Sequence, residues 1–217
     1  MSNNIDLVVF GARGDLARRK LFPALYQLDK AGLLSDSTRI AGVAREAIDS
    51  AAFIQQIETL LKDTPEIGEW DEKVWAKFSR RLHYIKIDFS QKKEFAVLNQ
   101  WIVDGRTVIY YLATPPSLFG AICQHLNDAG CVDKTSRIVL EKPIGHDLES
   151  SEQVNGDVGK YFLERNIYRI DHYLGKETVQ NLLALRFANR MINSQWDNSC
   201  IDHVQISVSE SVGIEGR

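Results

Sequence analysis

Several features are scarce in this 217-residue chain, and each scarcity narrows what the chain can be. Cys123, Cys131 and Cys200 are its only cysteines. They are too few and too scattered for a disulfide framework or a zinc site, and read as ordinary core thiols of a cytoplasmic protein with no metal. No apolar run approaches the ~20 residues that span a bilayer, so no membrane partner is expected. The opening MSNNIDLVVFGARG has neither the basic region nor the apolar length of a secretory signal. Excess charge is missing too: a formal net charge of −3 gives no bulk electrostatic basis for holding nucleic acid. Internal repeats and low-complexity segments are absent. What is present, 44% hydrophobic and 25% charged residues, is the profile of a soluble globular protein with room for one full domain and part of a second.

Along the chain, short apolar runs alternate with longer helical patterns. IDLVVFG, RIAGVA, HYIKID, TVIYYLA, RIVLEK and NIYRID read as strands. Between them lie helical stretches: a first helix from Asp15 that ends at Gly32, then others over 47–62, near 71–82 and 90–102, over 116–130 and over 148–163. Such alternation predicts an α/β fold, a parallel sheet covered on both faces. After Asp171 the pattern changes to one long helix, TVQNLLALRFANRMI, and then to IDHVQISVSES, whose imperfect alternation suits a half-exposed strand. A lone strand of that kind cannot bury its apolar face, so the chain reads as cut short.

Three places carry candidate chemistry. VVFGARGDLA puts Gly11 and Gly14 at the turn from the first strand into the first helix, where glycines permit close backbone approach to a pyrophosphate. The spacing is G-x-x-G rather than G-x-G-x-x-G, and a turn that serves only the fold remains the alternative. After the second strand, IAGVAREAI offers Arg45 with Glu46 beside it. An arginine there accommodates the 2′-phosphate of NADP, although an exposed arginine at a helix start would look the same. RIVLEKPIG sets Lys142 beyond the carboxyl end of a strand, which is where ligands of open α/β sheets bind; a solvated Glu141–Lys142 pair is the alternative. Pro143 is a candidate for a cis bond or a rigid corner. Pro115 and Pro116 read as structural, with Phe119 a candidate to flank a cofactor.

The densest cluster is RIDHYLGKE, residues 169–177, at the start of the long helix. Singly, His172 reads equally as a satisfied buried histidine. Lys176 is placed where a cation opposes the helix macrodipole, a conflict that a bound anion would remove. Tyr173, His172 and Lys176 are the donors such an anion needs. Asp171 would repel it, and suits instead the orientation of a catalytic histidine.

Together GARGDLARRKLFPAL, EKPIG and RIDHYLGKE resemble, in order and over the whole chain, the coenzyme loop, hinge-lysine motif and substrate signature of the glucose-6-phosphate dehydrogenase family. The resemblance implies an NADP-binding Rossmann-like domain over 1–170. Residues 171–217 would then begin an α+β domain for substrate and dimerisation. It implies oxidation of glucose 6-phosphate at C1 with NADP⁺, giving 6-phosphogluconolactone, in a homo-oligomeric parent. Carried over, Gly11, Ala12, Arg13, Gly14, Asp15, Leu16, Ala17 and Arg18 would line the pyrophosphate, and Arg45 the 2′-phosphate. Lys142 would sit between nicotinamide and sugar. His172, Tyr173 and Lys176 would hold the sugar phosphate, Glu210 a sugar hydroxyl, and Asp171 would orient the base. Arg13 stands where many relatives have a small residue and would add a phosphate contact.

In that family the base is a histidine of an NH motif, expected a short way beyond Arg217. Neither His203 nor His172 is an evident substitute. General-base catalysis contributes ~10²–10⁴ in rate, so this polypeptide by itself is expected to be inactive or nearly so. Two other readings use fewer of the motifs. A non-catalytic NADP-binding module needs only the glycine loop and Arg45. A glucose-fructose oxidoreductase type of enzyme also carries an EKP motif but lacks the RIDHYLGKE turn.

Overall fold

The computed structural model describes residues 4–171 and 174–207. The chain forms two compact units, Met1–Ile170 and Asp171–Arg217. In the first, six strands make one sheet: β1 Ile5–Phe10, β2 Arg39–Ala44, β3 Leu82–Lys86, β4 Thr107–Leu112, β5 Arg137–Glu141 and β6 Ile167–Ile170. Every neighbouring pair is parallel, and the order is β3-β2-β1-β4-β5-β6. The chain winds outward in both directions from β1, so the order reverses between β1 and β4. In open α/β sheets ligands bind at such a reversal, beyond the carboxyl ends of the strands.

Six helices cover the faces: α1 Phe22–Lys30, α2 Ser50–Lys62, α3 Glu72–Ser79, α4 Ala96–Trp101, α5 Phe119–Asp128 and α6 Leu148–Gly159. The strands' two-residue period divides the core. Val8 and Phe10 of β1 pack with Phe119, Ile122 and Leu126 of α5 on one face. Val9 packs with Phe22 and Tyr26 of α1 and Phe53, Ile57 and Leu61 of α2 on the other. The starts of α2, α3 and α6 are set by side chains: Asp49 accepts from the Ala52 amide at 2.7 Å, Asp71 from the Lys73 and Val74 amides at 2.8 and 3.1 Å, and Asp147 forms a capping box with Ser150. Cys123 and Cys131 are buried, and burial pushes their thiols up to about 12 and about 11. Cys200 departs from the core-thiol expectation, since it is exposed.

Charge is buried at the amino-terminal edge of the sheet. The fully buried Asp6 accepts from both Arg39 and Arg106. Arg81 grips the buried Asp29 with two bonds of 2.9 and 3.0 Å. Paired in this way the carboxylates remain hydrogen-bonded, and removing one partner would strand the other.

The first helix differs from the regular one expected. Residues Ala17–Leu21 form a π-helical stretch in which the Phe22 amide bonds the Ala17 carbonyl, and α1 continues from there. Pro23 explains it: lacking an N–H, it cannot continue the i→i−4 ladder, and the widened turn separates its ring from the carbonyl of Arg19.

In the second unit, the single long helix is divided into α7 Glu177–Ala188 and α8 Arg190–Asn193. Asn189 breaks it, with an extended backbone at φ −117°, ψ 101° and a side chain that satisfies the Leu185 carbonyl at 2.9 Å. The strand expected from residue 201 is not seen over 201–207, which form no ladder with any described segment. Alternation without a partner strand does not make a sheet. Among the described residues, no helix is long and apolar enough to cross a membrane.

Candidate functional site

The glycine turn leaves β1 at the carboxyl edge. Gly11 has φ +79°, and a Cβ there would stand 2.3 Å from the Ala113 carbonyl oxygen at the end of β4. Only glycine fits both the left-handed backbone and that approach. The Gly11 and Ala12 amides donate to the Val43 carbonyl at 2.9 and 3.1 Å, and the Gly14 amide closes back on Gly11 at 2.8 Å. The Arg18 amide then makes a helical bond to Gly14 at 3.1 Å. The first amides of a helix have no intrahelical acceptor, so this turn presents N–H donors and the positive end of a dipole. Ala12 and Ala17 are buried beneath the turn, Leu16 is half-buried, and Gly14, Asp15 and Arg18 are exposed. Asp15 is held by Arg19 at 2.6 Å.

Beneath the turn, Gly42 in β2 does what a further loop glycine would do. A Cβ on it would meet Phe53 at 2.5 Å and the Ala12 methyl at 2.9 Å. Sequence reasoning passed over Gly42, though an isolated glycine inside the apolar run RIAGVA is itself a sign of close approach.

Arg45 and Glu46 follow β2 directly, both exposed. Arg13 reaches across from the glycine turn to the Glu46 carboxylate at 3.9 Å. Tyr84 of β3 donates its hydroxyl to the Glu46 carbonyl at 2.7 Å, and burial raises the Tyr84 phenol above its usual range. The turn and the end of β2 thus form one cluster in which Arg13 and Arg45 accompany one carboxylate.

At the ends of β4 and β5, Tyr111 donates its hydroxyl to the buried carboxylate of Glu141. Burial first, and this bond second, push the Tyr111 phenol far above its ordinary value. Lys142 is exposed beside Glu141, and the Lys142–Pro143 bond is cis. The Thr114 hydroxyl oxygen, next to Ala113, is buried without a partner among the described residues. Thr114, Tyr111 and the Tyr111–Glu141 bond were not anticipated; nothing in YLAT announces contacts made thirty residues away. Phe119 corrects an expectation. It is fully buried, in the apolar stripe Phe119, Ile122, Cys123 and Leu126 of α5, and so does not flank a cofactor.

In the second unit, Asp171 is half-buried. Lys176 is exposed at the N-cap of α7 rather than in its first turn: its backbone is extended, and its carbonyl accepts from the Val179 and Gln180 amides, both at 3.0 Å. His172, Tyr173 and Glu210 lie outside the described residues. No residue of α7 is buried; Leu183 is 51% exposed and Phe187 65%.

Comparison with known proteins accords with this geometry. Residues 8–181 match the family model for "Glucose-6-phosphate dehydrogenase, NAD binding domain", and residues 183–217 match "Glucose-6-phosphate dehydrogenase, C-terminal domain". Glucose-6-phosphate 1-dehydrogenase of Dickeya dadantii is 51% identical over 98% of this chain and 43% of its own length. That of Rhizobium meliloti is 44% identical over 98% of the chain and 44% of its length. The crystal structure of the Mycobacterium avium enzyme superposes with a TM-score of 0.79 at 36% identity, covering 90% of this chain and 42% of that one. A glucose-6-phosphate dehydrogenase solved in complex with its substrate glucose 6-phosphate gives 0.80 at 33% identity, with the same coverage of 90% and 42%. The chain spans less than half the length of the curated relatives it matches. With its dinucleotide-type sheet, its glycine turn and matches to both domain models, the chain belongs to the glucose-6-phosphate dehydrogenase family.

Proposed function

We propose that this chain supplies the coenzyme-binding unit and the opening of the substrate unit of an NADP-dependent dehydrogenase. The enzyme would oxidise D-glucose 6-phosphate to 6-phospho-D-glucono-1,5-lactone, the first step of the pentose phosphate pathway. The observation that carries the reading is the family match through both units, 8–181 and 183–217. The substrate-bound relative supports the sugar phosphate as ligand.

The first unit fits NADP⁺ on its own geometry. Gly11 keeps the turn close to β4, Ala12 and Ala17 floor it, and the amides of residues 15–17 precede the first helical bond, from Arg18 to Gly14. Arg13 and Arg45 offer only donors, as a 2′-phosphate requires, and Glu46 is engaged by Arg13. Gly14, Asp15, Leu16 and Arg18 complete the lining of the pyrophosphate site. When bound, NADP⁺ supplies the hydride acceptor. Lys142, at the carboxyl end of β5, is assigned to the junction of coenzyme and sugar, where its ammonium would bind oxygen acceptors.

For the second unit the proposal assigns His172, Tyr173 and Lys176 to the sugar phosphate and Glu210 to a sugar hydroxyl. Asp171 holds the base histidine by its Nδ1–H and stabilises the imidazolium formed when Nε2 takes the C1 hydroxyl proton. The test is NADP⁺ reduction with glucose 6-phosphate by the protein that carries this sequence. Lys176→Gln should raise KM for glucose 6-phosphate about 10-fold or more with a smaller change in kcat, while Asp171→Asn should lower kcat. Coenzyme binding without any turnover would favour a non-catalytic NADP-binding module instead.

A further inference from the structure

A cavity of about 500 Å³ opens at the amino-terminal ends of β2 and β3, the opposite edge of the sheet from the glycine turn. Arg39 enters it from β2, His83 from β3, and Lys77 and Arg80 from the end of α3. Arg81 is fully committed: it holds Asp29 and donates to the carbonyls of Ser35, Asp36 and Thr38. Arg39 is committed to Asp6 and the Trp101 carbonyl. The exposed Arg80 side chain makes no hydrogen bond or ion pair among the described residues, although it lines the same cavity. Asp36 is the one carboxylate in the lining; it is 89% exposed at its side chain and leans on Lys77 at 2.8 Å and Arg81 at 3.7 Å. With the buried Asp6 and Asp29 and the Arg106 that shares Asp6 included, five permanent cations face three carboxylates.

Thr38 adds an independent observation. It lines the cavity at 5% exposure, and its hydroxyl has no partner among the described residues. A buried hydroxyl without an acceptor is costly, and an oxygen-rich ligand would relieve it. The helix dipole favours a cation at the end of α3 and so accounts for Arg80 being basic. It does not account for an excess of cations around a cavity that also holds an orphaned donor.

We propose that this cavity binds a phosphate group, at a site separate from the dinucleotide turn. The Arg80 guanidinium and Lys77 ammonium arrive from the end of α3 and the Thr38 hydroxyl from the segment before β2, which suits a tetrahedral oxyanion with several acceptors. The volume exceeds that of a bare ion, so a phosphomonoester fits as well as inorganic phosphate. Asp36 holds part of the anion's place, and Lys77 exchanges that carboxylate for the ligand. His83 reports the event. Its charged form is disfavoured by burial and then by Arg39, with Asp6 opposing, and a bound dianion would raise its pKa.

The experiment is an NMR titration of the labelled 217-residue chain with inorganic phosphate at constant ionic strength, chloride replacing it in the control. The His83 ring and Arg80 Nε–H signals are followed. Saturable shifts with phosphate and none with chloride are expected, weakened about 10-fold or more by Arg80→Gln. Asp36→Asn should tighten binding by about 3-fold, as loss of a tethered surface competitor would. Arg45→Ala should leave it unchanged. Parallel arms with glucose 6-phosphate and AMP identify the source: tighter binding of an ester than of the free ion assigns the site to phosphomonoesters, and the reverse to phosphate itself. Non-saturating shifts shared with chloride, or an Arg80→Gln chain that responds like the unmodified one, would mean an adventitious ion only and overturn the proposal.

Discussion

At the amino-terminal edge of the sheet, Arg39 and Arg106 close on the buried Asp6 and Arg81 grips the buried Asp29, whereas at the carboxyl edge Arg45 and Lys142 stand exposed at strand ends. Arg81 is 4% exposed at its side chain, whereas Arg45 is open to solvent. A buried, doubly hydrogen-bonded arginine fixes strand ends and loops in place. An exposed one at a strand's carboxyl end remains able to meet a ligand's charge, at a point where backbone amides from the glycine turn converge. Arg80 is the exception that prompts a second anion site at the first edge.

The contrast is broken most severely at a buried pair. Asp29→Ala leaves the Arg81 guanidinium, 4% exposed, without its carboxylate. Stability should fall by about 3–5 kcal/mol, read as a lower urea midpoint, with no specific effect on NADP⁺ affinity at temperatures where the variant stays folded. At the other edge Gly11→Ala combines a left-handed backbone with the 2.3 Å overlap on Ala113. NADP⁺ affinity should drop by roughly 100-fold, the worth of about one charge-assisted hydrogen bond, by calorimetric titration. Gly32→Ala is the control, since Gly32 also has positive φ (+69°) but nothing within 4 Å of the added methyl. It should cost only about 1–2 kcal/mol of stability and leave NADP⁺ binding intact.

Arg45→Ala should weaken NADP⁺ by at least ~10-fold and leave NAD⁺ nearly unchanged, so that the ratio of the two dissociation constants collapses. The smallest effect expected is a pH dependence at His83, half-buried at the amino-terminal edge between Arg39 and Asp6. Burial, and then Arg39, lower its folded pKa, so below the unfolded value of about 6.5 the unfolded chain binds more protons. Stability from this group is therefore complete above that pH and is lost as pH falls through the folded pKa. Between pH 7.5 and 5.5, chosen to bracket that ~6.5, the urea midpoint of His83→Gln should fall less than that of the unmodified chain.

Much of the first unit is legible in the sequence because its signals are local. Each strand is a short apolar run, α2, α3 and α6 each start on a capping aspartate, and the glycine turn lies where first strand meets first helix. What is not legible depends on distant partners. Gly42 is explained only by Phe53 and Ala12 packed over it, Glu141 by Tyr111 on the neighbouring strand, and the burial of Phe119 by the helix face it shares with Ile122 and Leu126. The π-helical stretch before Pro23 was within reach, since a proline inside a helical pattern announces a disturbed ladder. In the second unit, alternation at 201–207 suggested a strand that no described neighbour completes. Of the RIDHYLGKE cluster the described residues include Asp171 and Lys176, at half-buried and exposed positions respectively.

The most direct measurement is the melting-temperature shift of the 217-residue chain with NADP⁺ and with NAD⁺, for the unmodified sequence and for Arg45→Ala. Ligand at 100 times its dissociation constant should stabilise a competent fold by about 2.7 kcal/mol. The expected result is a clear rise with NADP⁺, a smaller one with NAD⁺ at the same concentration, and loss of the difference in Arg45→Ala. A cooperatively melting chain that responds to neither nucleotide, or that keeps its NADP⁺ preference without Arg45, would contradict the assignment of the glycine turn and the end of β2 to the coenzyme.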